Sequence, residues 1–124
     1  LAVAAARDLL VELPDAATVR GLDPDQEALA ALETFAVVVT APGDADGVDF
    51  VSRFFAPREG IPEDPVTGSA HCTLVPWWAQ KLGRTALVAH QVSLRGGEIR
   101  CRLAGERVRL RGQAVTWLAG ELRA

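Results

Sequence analysis

Apolar and polar positions along the chain change their period several times, and each change marks an element. "RDLLVEL" (7–13) reads as a short strand stopped by Pro14-Asp15. In "GLDPDQEALAALE" (21–33), Asp23 stands at a cap position and Pro24 in the first turn. Acidic residues come early and Leu29 and Leu32 share a face, so a helix is predicted. "TFAVVVTAP" (34–42) is a continuous β-branched run, which predicts a strand buried on both faces. "GDADG" (43–47) is a turn cluster, and "VDFVSRFFAP" (48–57) is a second strand, stopped by Pro57.

In "SAHCTLVPWWAQKLG" (69–83), Ala70, Leu74, Trp78 and Leu82 recur every four residues, the stripe of one helix face, and Gly83 closes the helix. Pro76 removes one backbone bond within it and predicts a kink or a loosened turn. The last third is β. "ALVAHQVSL" (86–94) leads to Gly96-Gly97, and then Ile99, Cys101 and Leu103 alternate with Glu98, Arg100 and Arg102. "AGE" (104–106) turns the chain, and Val108 and Leu110 alternate with Arg107, Arg109 and Arg111. Apolar parity then shifts to Val115 and Trp117, and Gly112 is the place for a bulge. The arginines at 100, 102, 107, 109 and 111 form the solvated outer face of a hairpin, with an anion-binding patch as the alternative. His90 alternates with Val88 and Val92 and is structural; Trp77 and Trp78 are packing residues, with one of them lining a cleft or a partner surface as the alternative. The order of elements predicts an α+β domain over residues 1–124, with a mostly antiparallel sheet wrapped around one central kinked helix.

The 124 residues are 49% apolar with a net charge of −3, enough to bury a core and to exclude disorder. The arginines form no block, so neither nucleic acid nor a polybasic membrane anchor is expected. No apolar run approaches the roughly 18–20 residues of a membrane span. The opening "LAVAAARDLL" lacks a basic leader and an initiating Met, and reads as chain continuing from something upstream. Cys72 and Cys101 show no metal spacing and are expected as reduced core thiols of a cytoplasmic protein. No hydrolase elbow, P-loop or dinucleotide fingerprint is present.

The chemistry concentrates in "GIPEDPVTGSAH" (60–71). A helix N-terminus leaves N–H groups unpaired, with partial positive charge. Gly68 lets a ligand approach that backbone, and Thr67 and Ser69 add hydroxyls, a combination suited to a carboxylate or phosphate. The plain alternative is a helix cap. Asp64 is not needed for capping, and a carboxyl group beside a bound anion suits general acid–base work. His71 is either a half-buried histidine bonded within the helix or a proton shuttle or ligand contact.

"SRFFAPREGIPEDPVTGSAHCTLVPWWAQKLGR" (52–84) closely resembles the second-half signature of the PhzF-like phenazine-biosynthesis isomerase family. "QVSLRGGEI" (91–99) and "GQAVTWLAGEL" (112–122) also resemble it. The resemblance implies one half of a diaminopimelate-epimerase-like fold, in which two similar domains each wrap a barrel-like sheet around a central helix and the active site lies between them. It implies an isomerase or epimerase without metal or organic cofactor, moving a proton on a small carboxylate-bearing substrate, and a homodimer. Asp64 resembles the family's second-domain acid, Gly68 and Ser69 its substrate-binding turn, and Thr67 the residue shaping that turn. The family's principal acid–base glutamate and a Gly-His pair lie in a first domain that nothing here matches; Glu12, Glu27 and Glu33 stand in the wrong context. The cysteine pair of the diaminopimelate relatives is not supported either, because Cys72 falls inside the helix. The expectation is thus a C-terminal domain carrying half an active site, its N-terminal domain absent. The alternative is a non-catalytic binding or assembly module on the same fold.

Overall fold

The computed structural model describes residues 2–5 and 7–122. Among these, eight strands and three α-helices follow in the order β1 (Ala2–Ala5), β2 (Leu9–Glu12), α1 (Ala16–Gly21), α2 (Gln26–Ala30), β3 (Val37–Pro42), β4 (Phe50–Ala56), β5 (Ile61–Asp64), α3 (His71–Leu82), β6 (Ala86–Gln91), β7 (Gly97–Ala104) and β8 (Arg107–Arg111). The class is α+β, with all the strands in one mixed sheet of order β1-β2-β3-β4-β6-β7-β8 and β5 pairing with β4. Two pairings are parallel, β2 with β3 across α1 and α2, and β4 with β6 across α3. A connection between parallel neighbours must travel the length of a strand, and here helices supply that length.

β4 shares one edge between two partners. β6 runs alongside its first half, pairing Ser52 with Gln91, and β5 alongside its second, pairing Phe54 with Asp64. The C-terminal ends of β5 and β6 therefore meet end to end near Arg53, and the chain leaves the sheet there to enter α3. That junction is where the chemistry of residues 60–71 is placed.

Each face of the sheet has a core. One gathers Leu74, Val75, Trp78 and Ala79 of α3 against Leu10, Val38, Phe50, Phe54, Leu87, Ala89, Ile99 and Cys101, with Ala4 and Val108 packed at its margin. Residues of β1, β2, β3, β4, β6, β7 and β8 thus all reach the core that holds α3. Trp78 stacks on Phe50 at 5.7 Å between ring centroids and donates its indole N–H to Thr40 Oγ1 at 3.0 Å. The second core, under α1, gathers Val19, Val37, Val39, Val51 and Phe55. β3 and β4 alternate between the two cores, so the strand expected over 34–42 is buried on both faces from Val37 to Ala41, whereas residues 34–36 lie outside it and Phe35 is exposed.

Other expectations need correction. The helix predicted over 21–33 is confined to Gln26–Ala30, because Asp25, rather than Asp23, accepts from the N–H groups of Glu27 and Ala28. α1 has no counterpart in the periodicity; Asp15 caps it through Thr18, and the Pro14-Asp15 pair that stops a strand also starts a helix. α3 contains Pro76 within its span and ends, as expected, before Gly83, whose φ of 65° is left-handed. Cys72 is exposed on it, whereas Cys101 is buried as expected and its thiol is pushed up to about 11 by burial. The β7–β8 hairpin turns at Gly105-Glu106, and all five arginines lie on its exposed face. β8 ends at Arg111, with no bulged continuation: residues 112–122 form no regular element and leave Val115 and Trp117 exposed.

Candidate active site

The path from β5 into α3 is a turn over residues 65–70 that tightens into the helix through backbone bonds from His71 to Gly68, Cys72 to Ser69 and Thr73 to Ala70. Among the described residues, no acceptor meets the N–H groups of Gly68, Ser69 and Ala70. No side chain caps the helix either. No side-chain cap is therefore made: the hydroxyls that would cap are turned elsewhere, and the N–H groups of the turn leading into the helix are left without an acceptor among the described residues.

Asp64 and Thr67 are brought together. The Thr67 hydroxyl donates to Asp64 Oδ2 at 2.5 Å. Ser69 is exposed at the mouth of the helix and its Oγ accepts from the Arg7 guanidinium at 3.2 Å. Gly68 is exposed as well. Its φ is not left-handed, and a Cβ there would meet only Leu110 Cδ1 at 3.7 Å, an ordinary contact. Nothing in the fold demands glycine at 68, so the space it leaves faces outward.

His71 is fully buried and its Nδ1 lies 2.8 Å from the Thr67 carbonyl oxygen. A carbonyl only accepts, so the proton sits on Nδ1. Nε2 has no partner among the described residues, and the ring centroid lies 6.1 Å from that of Phe50. Burial holds the His71 pKa below its ordinary value, against a smaller opposing effect of the Thr67 carbonyl. His71 is thus a neutral strut under the turn rather than an exposed shuttle.

Two residues that the sequence did not single out complete the site. Gln91, fully buried at the end of β6, accepts from the Thr67 N–H at 2.7 Å and donates to the Asp64 carbonyl at 2.7 Å and to Thr67 Oγ1 at 3.1 Å. Its signal was a polar residue in register with Leu87 and Ala89 on the buried face of a strand. Arg7 is exposed but fixed: Asp8 binds it through both carboxylate oxygens at 2.8 Å, and its guanidinium lies 4.4 Å from the Phe35 ring centroid. The Asp8 pairing raises the Arg7 pKa. Lying 62 residues from Ser69, it had no sequence motif to reveal it.

Glu63, which adjoins Asp64, has a structural task. Arg53 grips its carboxylate at 2.7 and 2.9 Å and also donates to the carbonyls of Val19 and Leu22. Ser93 donates to the Pro65 carbonyl at 2.8 Å, and Gly97 lets Val66 pack where a Cβ would come within 2.7 Å of Val66 Cγ2. The turn is clamped from the β6–β7 side. Among the described residues, no three His, Cys, Asp or Glu side chains gather as a metal set. No helix of these residues is long and apolar enough to cross a membrane.

The sequence and the fold are matched by known proteins. The family described as phenazine biosynthesis-like protein (PhzC-PhzF) matches residues 1–120. An uncharacterised isomerase of Pseudomonas aeruginosa is 55% identical over 93% of this chain and 43% of its own length. A PhzC/PhzF protein of Clostridium difficile is similar in structure, with a TM-score of 0.87 and 40% identity over 98% of this chain and 47% of that one. A PhzF-family protein of Enterococcus faecalis gives 0.79 and 43% identity over 92% of this chain and 46% of that one. The chain spans somewhat under half the length of these relatives.

Proposed function

The chain belongs to the phenazine biosynthesis-like (PhzC-PhzF) family, and from that premise we propose that it is one wall of an isomerase active site. This wall seats a substrate carboxylate on the N–H groups of Gly68, Ser69 and Ala70 and places Asp64 beside it to assist proton movement. The observation that carries the reading is the run of three N–H groups without a partner among the described residues, next to a carboxyl group held by Thr67. Helix N-termini of this kind suit anions. A glycine at 68 that the fold does not require supports the same reading.

The reaction is a cofactor-independent isomerisation or epimerisation of a small carboxylate-bearing substrate, of the phenazine-biosynthesis type. Asp64 is the catalytic residue and Gly68 and Ser69 are the binding residues; Thr67, expected among the binding residues, is buried with its N–H on Gln91 and its hydroxyl on Asp64, and so holds Asp64 in place. The principal proton-transfer group would come from a second, N-terminal domain, and the assembled protein would act as a homodimer in the cytoplasm. We read the sheet as a barrel-like wrap around α3; the many strands that reach its core support this. One wall alone should turn over little substrate, since orientation and proton transfer are both incomplete.

The second reading is a binding or assembly module, favoured by the exposed apolar side chains of Val115, Trp117, Leu118 and Leu122. Solvent deuterium exchange into a panel of small amino and cyclic acids, with the chain joined to a matching N-terminal half, separates the two. Exchange that is lost in Asp64→Asn is expected. No exchange in the parent, or none lost on that substitution, would sink the enzyme reading.

A further inference from the structure

The Gln91 side chain has a fixed orientation. Its Oε1 faces the Thr67 N–H, which only donates, and its Nε2 faces the Asp64 carbonyl, which only accepts. Both amide ends are therefore assigned by backbone groups of known polarity. The second hydrogen of Nε2 goes to Thr67 Oγ1.

A threonine hydroxyl has one proton. With Oγ1 already accepting from Gln91, that proton is directed to the remaining neighbour, Asp64 Oδ2. Asp64 is then held by one oxygen, while Oδ1 has no side-chain or backbone partner among the described residues. The arrangement is a relay with a set direction, from Gln91 through Thr67 to Asp64, built where the ends of β5 and β6 meet.

We propose that Gln91 is a positioning residue that orients the Thr67 hydroxyl and thereby presents Asp64 Oδ1 as the oxygen that meets substrate. This deepens, and rests on, the reading of the 64–70 turn as a substrate site. Gln91 acts only through Thr67 and Asp64; its own atoms are sealed from solvent. A buried polar chain of this kind is favourable only while every member is satisfied. One lost donor would free the hydroxyl to rotate.

The test is the Thr67 hydroxyl proton, observed by NMR in this chain. In the wild type it should appear as a slowly exchanging resonance with through-hydrogen-bond coupling to the Asp64 carboxyl carbon. Gln91→Glu keeps the size and the acceptor for the Thr67 N–H but removes the donors, and should abolish that resonance. Thr67→Ser should retain it and Thr67→Val lose it. A hydroxyl proton in free exchange with water in the folded wild type would overturn the proposal without any variant. So would an unchanged resonance in folded Gln91→Glu. Sodium acetate titrated against sodium chloride at equal ionic strength, followed at the Gly68–Ala70 amides, reads the seat separately. Acetate shifts with an unprotected hydroxyl would remove the relay alone. A protected hydroxyl with no acetate response would remove the substrate-site reading beneath it.

Discussion

His71 makes stability depend on pH in a calculable way. Its ring is fully buried, its Nδ1 proton is committed to the Thr67 carbonyl, and its Nε2 has no partner among the described residues. Protonation would place a charged N–H in a core lined by Phe50, so the folded-state pKa lies below the ordinary 6.5. The unfolded chain therefore binds the proton first as pH falls. Stability from this group is complete above about pH 6.5, is lost as pH drops from there toward the folded-state value, and is flat below it. At a pH one below the unfolded pKa, the loss reaches at most about 1.4 kcal/mol, the free energy of a tenfold difference in proton affinity between the two states. Asp15, Asp44 and Glu98, whose pKa values are lowered by their hydrogen-bond partners, lose their contributions only below their unfolded values near 4, outside this window. Urea unfolding of wild type and His71→Gln between pH 7.5 and 5.5, read by tryptophan fluorescence, isolates the effect, because His90 is common to both. The difference between the two proteins should narrow by about 1 kcal/mol as the pH is lowered. Parallel stability curves would refute the buried, neutral assignment.

Gly68→Ala separates fold from function: stability should hold or rise by about 0.5 kcal/mol in urea unfolding, while the acetate response at residues 68–70 falls sharply. Leu74→Ala empties the centre of the α3 core and should cost about 2–5 kcal/mol by the same unfolding assay. Gly97→Ala must displace Val66 from its 2.7 Å approach, and should shift the amide resonances of 64–70 more than those of the distant α1. Arg100 stands opposite Arg111 and Arg102 opposite Arg109, so raising salt should slow hydrogen exchange in β8, where like charges are screened.

The parts of this fold written in local pattern were legible. The β-branched run Val37–Thr40 forms the doubly buried part of β3 because such side chains suit both faces, and the Gly83 stop and the arginine face of the hairpin follow from equally local rules. The 21–33 segment misleads because two aspartates compete for one cap, and geometry chooses Asp25. Val115 and Trp117 mislead because alternation does not supply a partner strand. At the site, Asp64, Thr67, Gly68 and Ser69 stand out from adjacency alone. Gln91 and Arg7 do not, since their roles exist only once β6 ends beside β5 and the β1–β2 turn reaches α3. Thr67 reads in the sequence as a hydroxyl offered to a bound anion, and the family resemblance makes it a residue shaping the turn; its hydroxyl in fact serves Asp64.

β4 gives Phe50 and Phe54 to one core and Val51 and Phe55 to the other. Neither hydrophobic cluster can therefore assemble ahead of this strand, and neither can melt while it stays docked. Unfolding should be a single concerted event, in which amides of β4 become labile only when the whole molecule opens and those of β8 and residues 112–122 do so far more often. The 64–70 turn hangs from the middle of that strand, where Phe54 pairs with Asp64 and Ser52 with Gln91. Its rigidity is thus borrowed from the last part of the molecule to let go.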